Sequence, residues 1–277
     1  MRSARLLGER HHVYGAIAAV SEGRAAITLS RGGVPKRYQH TDPNEDAVCF
    51  ALGEHGLLIA VADGHYGARG AERALEWLLR ERAPQWTGAD VAEASPESWC
   101  EAGNTALQAI HQDLHRQAEE LRVAPAPTTL SLALVRPDDG ILLHASVGDS
   151  HVFLANPAGG HAHVARDVAW ASTGLSSCAF AGETYESSHL EPAQCVVDCA
   201  PIGETRAVLL ASDGLSELRI GVSDPAAAAA AAVDHARSLE AQLQPLEACR
   251  HLTETALEAH RRNRAGDNMC AAVLWLD

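Results

Sequence analysis

The stretch LLIAVADGHYG, residues 57–67, decides how this chain folds. Its first six residues are apolar or small, which is typical of a buried strand, and Asp63 follows at the end of that strand. A glycine-rich turn comes next and contains His65 and Tyr66. The segment therefore predicts a strand that brings an acid and an imidazole to one edge of a sheet.

Nine further segments have the same short, apolar character and are bounded by Gly, Asp, Pro or Asn, which predicts strands. They are 13–20, 24–30, 47–52, 128–135, 141–147, 151–155, 195–199, 207–211 and 269–276. Apolar residues at helical spacing and runs of strong helix formers predict helices over 68–82, 97–122, 225–241 and 245–262. Strands and helices come in blocks rather than in βαβ alternation, so we expect an α+β fold of stacked antiparallel sheets flanked by helices.

Composition limits the classes of partner. The 277 residues carry 36 acids against 22 Lys and Arg, a formal charge of −14, which argues against a nucleic acid or an anionic membrane as partner. Seven cysteines without a CxxC motif indicate buried thiols in a reducing compartment. The N-terminus lacks a secretory apolar region, and no apolar run is long enough to span a membrane, so we expect a soluble, cytoplasmic protein.

Residues 1–277 are expected to form one domain. Within it, residues 156–194 are rich in Gly, Ser, Ala and His with weak periodicity, which predicts an irregular flap. The close histidine pairs of the chain lack an HExxH motif or a carboxylate partner, so surface histidines are favoured over a zinc site.

Acids recur where predicted strands begin or end. They are Asp46, Asp63, Asp149, Asp213 and Asp267. One Asp-Gly after a strand is usually only a turn, but five such acids favour a cluster at one sheet edge. Carboxylates gathered without Lys or Arg need a cation, and oxygen ligands favour Mg²⁺ or Mn²⁺ over zinc.

Six motifs, taken in order, resemble those of the metal-dependent protein phosphatase family, type 2C (PPM), and of its bacterial single-domain members. They are NEDAVCF (44–50), VADGHYG (61–67), TTLSLALV (128–135), ASVGDSHVFL (146–154), LLASDGLSEL (209–218) and GDNMCAAVL (266–274). The resemblance implies two central antiparallel sheets with helices on both outer faces, a four-layer α-β-β-α sandwich. It also implies a signalling hydrolase that uses two or three Mn²⁺ or Mg²⁺ ions.

The resemblance also implies a role for each matching residue. Asp46 and Asp63 would hold a bridged metal pair, joined by the carbonyl oxygen of Gly64. Asp213 and Asp267 would hold one metal of that pair, and Glu45 would reach the metals through water. Asp149, with Asp213, would hold a third metal.

The implied chemistry is hydrolysis of a phosphomonoester by a metal-bridging hydroxide. The hydroxide would attack in line, so no covalent enzyme intermediate is needed. His65 matches the candidate general acid that protonates the leaving oxygen, and the alternative is a hydrogen-bonded loop histidine.

The chain departs from the family pattern at the substrate phosphate. The family usually has an arginine five residues before Asp46, where this chain has Thr41. His40 is adjacent, and Lys36 and Arg37 lie a little upstream; one of these can reach the phosphate, or they are solvated loop charges. Losing a charge-assisted hydrogen bond weakens binding by roughly one to two decades, so we expect an active but slow or unusual phosphatase.

Smaller departures surround the predicted site. Tyr66 stands where the family commonly has glycine, and it could line the mouth of the site and alter substrate choice. His151 replaces a common arginine, and Ser216 replaces a common tryptophan.

The leading hypothesis is a monomeric Mn²⁺- or Mg²⁺-dependent phosphatase of phosphoserine and phosphothreonine proteins, with a Ser/Thr kinase as an expected partner. A pseudophosphatase that binds a kinase or phosphoprotein is the alternative that Thr41 favours. A third hypothesis keeps the chemistry but takes a small phosphomonoester or a phosphorylated anti-sigma antagonist as substrate.

Overall fold

We describe the protein from a computed structural model that covers residues 1–36, 41–89, 91–93, 95–158, 162–169, 190 and 194–276. Within these ranges the chain forms twelve strands. They are β1 (Arg2–Leu7), β2 (Ala18–Glu22), β3 (Ala25–Ser30), β4 (Asp46–Leu52), β5 (Leu57–Asp63), β6 (Leu130–Arg136), β7 (Ile141–Val147), β8 (His151–Pro157), β9 (His163–Asp167), β10 (Cys195–Pro201), β11 (Ala207–Ala211) and β12 (Met269–Trp275).

The helices lie between blocks of strands, as the sequence predicts. They are α1 (Arg69–Trp77), α2 (Ala83–Trp86), α3 (Pro96–Leu121), α4 (Pro225–Ala236) and α5 (Gln244–Asn263), with a π-helical turn at Leu78–Arg82 that joins α1 to α2. Short 3₁₀ helices occur at Gly8–Arg10 and Asp213–Leu215. Ser95 caps the start of α3 in a reciprocal capping box with Ser98, so the long helix begins at Pro96.

The strands form two six-stranded sheets in which every pairing is antiparallel. The first sheet has the order β1-β4-β5-β6-β7-β10, and the second has the order β2-β3-β12-β11-β8-β9. Helices α1 and α3 pack on the outer face of the first sheet, and α4 and α5 pack on the second. The predicted α+β class with stacked antiparallel sheets and helices on both faces is confirmed.

Successive side chains of each strand point to opposite faces of its sheet, and this alternation creates the layers. In β4, Val48 and Phe50 face the second sheet, whereas Cys49 and Ala51 face the helices. Fully burying a side chain such as Val or Phe stabilises the fold by about 1.5–3 kcal/mol. Larger side chains thus hold the sheets together, while small ones let the helices approach closely.

The predicted elements differ from the structure at the N-terminal strands and in the flap. The strand predicted at 13–20 is only β2, which starts at Ala18. Strand β1 was missed because its exposed arginines hide a half-buried edge strand that pairs with β4. Part of the predicted irregular flap at 156–194 is strand β9, whose residues alternate between partly buried and exposed. Residues 159–161, 170–189 and 191–193 of the flap lie outside the described residues.

The helices of the described residues are too short or too polar for any of them to serve as a membrane span.

Candidate metal centre

Four of the predicted acids lie at one edge of the two sheets. Asp46 and Asp63 are directly opposite each other in the β4–β5 pairing. Asp213 follows β11 and Asp267 precedes β12, and these two strands are neighbours in the other sheet. Because the sheets are stacked, their edges bring the four carboxyls within electrostatic reach of one another.

The electrostatics of this acid cluster (Asp46, Asp63, Asp213 and Asp267) are unfavourable for full ionisation. Burial, with repulsion from Asp267 and Asp213, raises the pKa of Asp46 to about 7. Burial and neighbouring carboxylates also raise the pKa values of Asp63 and Asp213 well above their ordinary range. Among the charges that raise the pKa of Asp213, repulsion from Asp63 is the largest, so these two carboxyls resist being ionised together.

The acid cluster keeps buried oxygens available for a ligand. Ser212 Oγ donates to Asp46 Oδ2 at 2.7 Å, and the backbone N–H of Cys270 donates to Ser212 Oγ at 3.0 Å. Among the described residues, the other oxygen of Asp46 and one oxygen of Asp213 are buried without a hydrogen-bond partner. Buried carboxylate oxygens without partners are costly, so the donor set fits a hard divalent cation.

Lys36 brings a positive charge into this acid cluster. Its Nζ lies 2.7 Å from Asp267 Oδ1, and both side chains are nearly fully buried. Burial lowers the pKa of Lys36, but the attraction of Asp267 outweighs it and leaves the pKa raised. The sequence left open whether Lys36 was a solvated loop charge, and the structure shows that it is not.

Gly266 allows the loop that carries Lys36 to approach the acid cluster closely. A Cβ there would lie 1.8 Å from the carbonyl oxygen of Val34, and Gly266 pairs with Lys36 in an isolated parallel bridge. The loop before Lys36 therefore lies directly on the backbone that leads into Asp267.

The side chains of the four acids are not preorganised in a metal-coordinating geometry. Over the described part of the chain, no group of three or more His, Cys, Asp or Glu side chains has an arrangement that could hold a metal. A cation would therefore draw the carboxyls inward and compete with the Lys36 ammonium for Asp267.

The turn that follows Asp63 carries the predicted general acid. A Cβ on Gly64 would lie 2.7 Å from the carbonyl oxygen of Glu45, so only glycine fits this position. The backbone N–H of His65 donates to the Pro127 carbonyl at 2.9 Å, and His65 is partly buried. Tyr66 has a left-handed φ of 61° and is 78% exposed, so its ring lies at the surface beside His65.

Thr41 and Glu45 belong to the loop that leads into β4. Glu45 Oε1 accepts from the backbone N–H groups of Thr41 and Asp42, each at 3.3 Å. The Glu45 N–H in turn donates to Asn268 Oδ1 at 2.8 Å, and Asn268 follows Asp267. Glu45 thus fixes the loop beside the acid cluster, and its contact with metals through water stays a prediction.

The remaining predicted residues have different outcomes. Asp149 is partly exposed, and its charge helps to raise the pKa of Asp213. This proximity suits the pairing of the two acids that was predicted for a third metal. His40 and Arg37, predicted as alternatives for phosphate binding, lie outside the described residues.

Sequence reasoning missed Ser212 and Asn268, which orient the acids. Their signal was their position next to Asp213 and Asp267, but neighbouring residues alone do not reveal hydrogen bonds across sheets.

Comparisons with known proteins identify the family of this chain. The family model described as protein phosphatase 2C matches residues 35–259. No curated protein matches the sequence significantly.

Solved structures share the fold at low sequence identity. Serine-threonine phosphatase 2C from Toxoplasma gondii is 17% identical with a TM-score of 0.67, and the match covers 100% of this chain and 99% of that chain. The catalytic domain of PstP, solved in complex with two manganese ions, is 18% identical with a TM-score of 0.60 over 95% of this chain and 100% of that chain. PppA, a regulatory component of the type VI secretion system in Pseudomonas aeruginosa, is 22% identical with a TM-score of 0.58 over 93% and 99% of the two chains.

Proposed function

Because the chain belongs to the protein phosphatase 2C family, we propose that it removes phosphate from phosphoserine and phosphothreonine in proteins, with Mn²⁺ or Mg²⁺ as cofactor. The observation that carries the proposal is the acid cluster at the sheet edge, where buried carboxylate oxygens of Asp46 and Asp213 lack hydrogen-bond partners among the described residues. The carboxylates of such a cluster repel one another, so ionising them all together is unfavourable without a bound cation. Carboxylate oxygens suit hard divalent cations.

Asp46, Asp63, Asp213 and Asp267 would hold two divalent cations, with the Gly64 carbonyl as a further ligand. Bound there, the cations would make hydroxide available at neutral pH and would neutralise charge on the phosphoryl group. Asp149 would complete a third site with Asp213. PstP, which shares the fold, was solved with two manganese ions.

Lys36 would bind the substrate phosphate in place of the arginine that Thr41 replaces. Its ammonium is already at the acid cluster, 2.7 Å from Asp267, and a lysine can bind phosphate as a point charge. With Asp267 serving as a metal ligand, Lys36 would turn its ammonium from Asp267 to the phosphate. His65 would protonate the leaving alkoxide, and the exposed Tyr66 would contact the protein substrate at the mouth of the site.

A pseudophosphatase is the second candidate function. The Lys36–Asp267 ion pair favours it, because an ammonium that stays on Asp267 opposes metal binding. The predicted kinase partner, monomeric state and cytoplasmic location stay predictions.

The deciding experiment is hydrolysis of p-nitrophenyl phosphate and of a phosphothreonine peptide with Mn²⁺, compared with EDTA. The wild type should hydrolyse both, and Asp213→Asn should lose activity by roughly 10²–10³-fold, because one electrostatic element of the site is removed. Asp138→Asn is the matched control and should retain activity, because among the described residues Asp138 hydrogen-bonds only His55.

Absence of Mn²⁺-dependent turnover in a folded wild type would favour the pseudophosphatase. Turnover of the small ester without turnover of the peptide would favour a small phosphomonoester as substrate.

A further inference from the structure

Ser216, His151 and Asp167 form a hydrogen-bonded row beside the acid cluster. Ser216 Oγ lies 2.6 Å from His151 Nε2, and His151 Nδ1 lies 2.5 Å from Asp167 Oδ2. His151 and Ser216 are two separate departures from the family pattern, and the fold brings them into direct contact. This is the order of contacts that activates a serine: nucleophile, base, and a carboxylate that orients the base.

The carboxylate end of the row is held firmly. Asp167 Oδ1 accepts from the backbone N–H groups of Val152, at 3.3 Å, and Ala169, at 3.1 Å. These donors leave Oδ2 facing the imidazole. An ionised carboxylate can only accept, so the favoured tautomer has a proton on His151 Nδ1 and a lone pair on Nε2 that faces Ser216.

The imidazole is fixed by packing. His151 is 2% exposed and stacks on the Phe153 ring, with centroids 5.2 Å apart and planes 14° from parallel. Both residues lie on β8, and this stacking, with the hydrogen bonds to Asp167 and Ser216, holds the ring toward the serine.

The serine end of the row lies in a partly exposed turn. Ser216 directly follows the 3₁₀ helix Asp213–Leu215 and is partly exposed. The backbone N–H groups of Ser216 and Glu217 donate to the Asp213 carbonyl, at 2.7 and 2.6 Å, so neither is available to stabilise an oxyanion. The row therefore suits a single acylation or phosphonylation of the serine better than rapid turnover.

We propose that Ser216 is an activated serine that accepts an acyl or phosphonyl group from an electrophilic ester or fluoride. In the step, Ser216 Oγ attacks the carbonyl carbon or phosphorus and forms one new bond, while the bond to the leaving group breaks and that group departs with its electron pair. The hydroxyl proton passes to His151 Nε2 and then to water. The reaction needs no metal and is independent of the proposed phosphatase function.

The test is labelling of the full chain with a fluorophosphonate probe, in EDTA and in Mn²⁺, with the modified residue mapped by mass spectrometry. We expect one label per chain at Ser216 under both conditions and none in Ser216→Ala. His151→Asn should slow labelling by about 10²-fold, the usual contribution of a general base. His163→Asn is the matched control, because His163 forms an equivalent pair with Asp234, at 2.7 Å, but has no hydrogen bond to a serine hydroxyl in the described structure.

The mapping in wild type decides the proposal even if His151→Asn does not fold. No label on the folded wild type, or equal labelling of the exposed Ser238, would overturn it, as would an unchanged rate in a folded His151→Asn. The row would then only tie β9 to the 3₁₀ helix.

Discussion

Two regions of the molecule bury aspartates and treat their charge in opposite ways. In α3, Asp113 is 4% exposed and accepts from Arg73 Nε at 2.6 Å and Arg73 Nη2 at 3.1 Å, with a further bond from Arg116. Burial raises the pKa of Asp113, but the hydrogen bonds and charges of the two arginines outweigh it and leave the pKa below its usual range. In the acid cluster, by contrast, the pKa values of Asp46, Asp63 and Asp213 are raised.

The difference separates a structural acid from a candidate ligand. Asp113 has two cationic partners from the protein, and its bonds to Arg73 tie α3 to α1. The acid cluster has more negative charge than its contact with Lys36 can balance, so its stability depends on protons or on added cations.

The largest expected effect is on catalysis by the acid cluster. Asp63→Asn should lower Mn²⁺-dependent turnover of p-nitrophenyl phosphate by roughly 10²–10³-fold. Its free energy of unfolding in EDTA should not fall, because the variant removes one of several repelling carboxyls. Steady-state kinetics and urea unfolding test both statements, and a loss of stability together with activity would mean that Asp63 is structural.

The next effect concerns Lys36, whose ammonium group lies in the acid cluster. Lys36→Met should raise KM for p-nitrophenyl phosphate by roughly 10- to 100-fold, the size of one charge-assisted hydrogen bond, with a smaller change in kcat. Steady-state kinetics at saturating Mn²⁺ measure the split between KM and kcat.

Thr41→Arg is the control for Lys36. We expect KM to stay nearly constant in this variant, because under the proposal Lys36 would already hold the phosphate. A large fall in KM for Thr41→Arg, with no effect of Lys36→Met, would show that Lys36 does not bind the substrate.

Asp113→Asn should lower stability and leave activity unchanged, which is the reverse of the effect expected for Asp63→Asn. Breaking its charged bonds should lower the free energy of unfolding by about 2 kcal/mol, a moderate value since Arg116 is largely exposed. The kinetics should stay unchanged. Urea unfolding measures the loss, and an unchanged midpoint would contradict the contrast between the two regions.

Measured per pH unit, the smallest effect is the dependence of stability on pH. In EDTA, Asp46 has a pKa of about 7 in the folded state and about 3.9 in the unfolded chain. Between these values the folded state binds more protons, so this group makes the protein less stable as pH rises from about 4 to about 7. The slope is at most about 1.4 kcal/mol per pH unit.

The difference in unfolding free energy between wild type and Asp46→Asn isolates this slope. Mn²⁺ should abolish it. Asp113 has the opposite sign, because its lowered pKa gives stability that is lost as pH falls below about 4. An equal slope in wild type and Asp46→Asn would mean that Asp46 titrates normally.

The sequence was sufficient to predict the acids because each lies at the end of a strongly apolar strand. The pairing of Asp46 with Asp63 follows from the short turn between β4 and β5. Strand β1 was not predictable, because an edge strand with exposed arginines buries only its last residues deeply.

The burial of Lys36 could not be predicted from the sequence either. It depends on a contact between its loop and Gly266, far away in the chain, where a missing Cβ leaves room for the Val34 carbonyl. The contact between His151 and Ser216 is likewise a result of the pairing of β8 with β11 and of the turn that follows β11. Such contacts arise from tertiary packing, which local patterns do not encode.

The most direct test of the account is calorimetric titration of the metal-free protein with Mn²⁺ near neutral pH, in buffers of different ionisation enthalpy. Wild type should bind at least two ions and release protons, because burial and mutual repulsion raise the pKa values of Asp46, Asp63 and Asp213 and an entering cation displaces their protons. Asp63→Asn should bind fewer ions. A folded wild type that binds no Mn²⁺ at millimolar concentration, or binds it without releasing protons, would contradict the account.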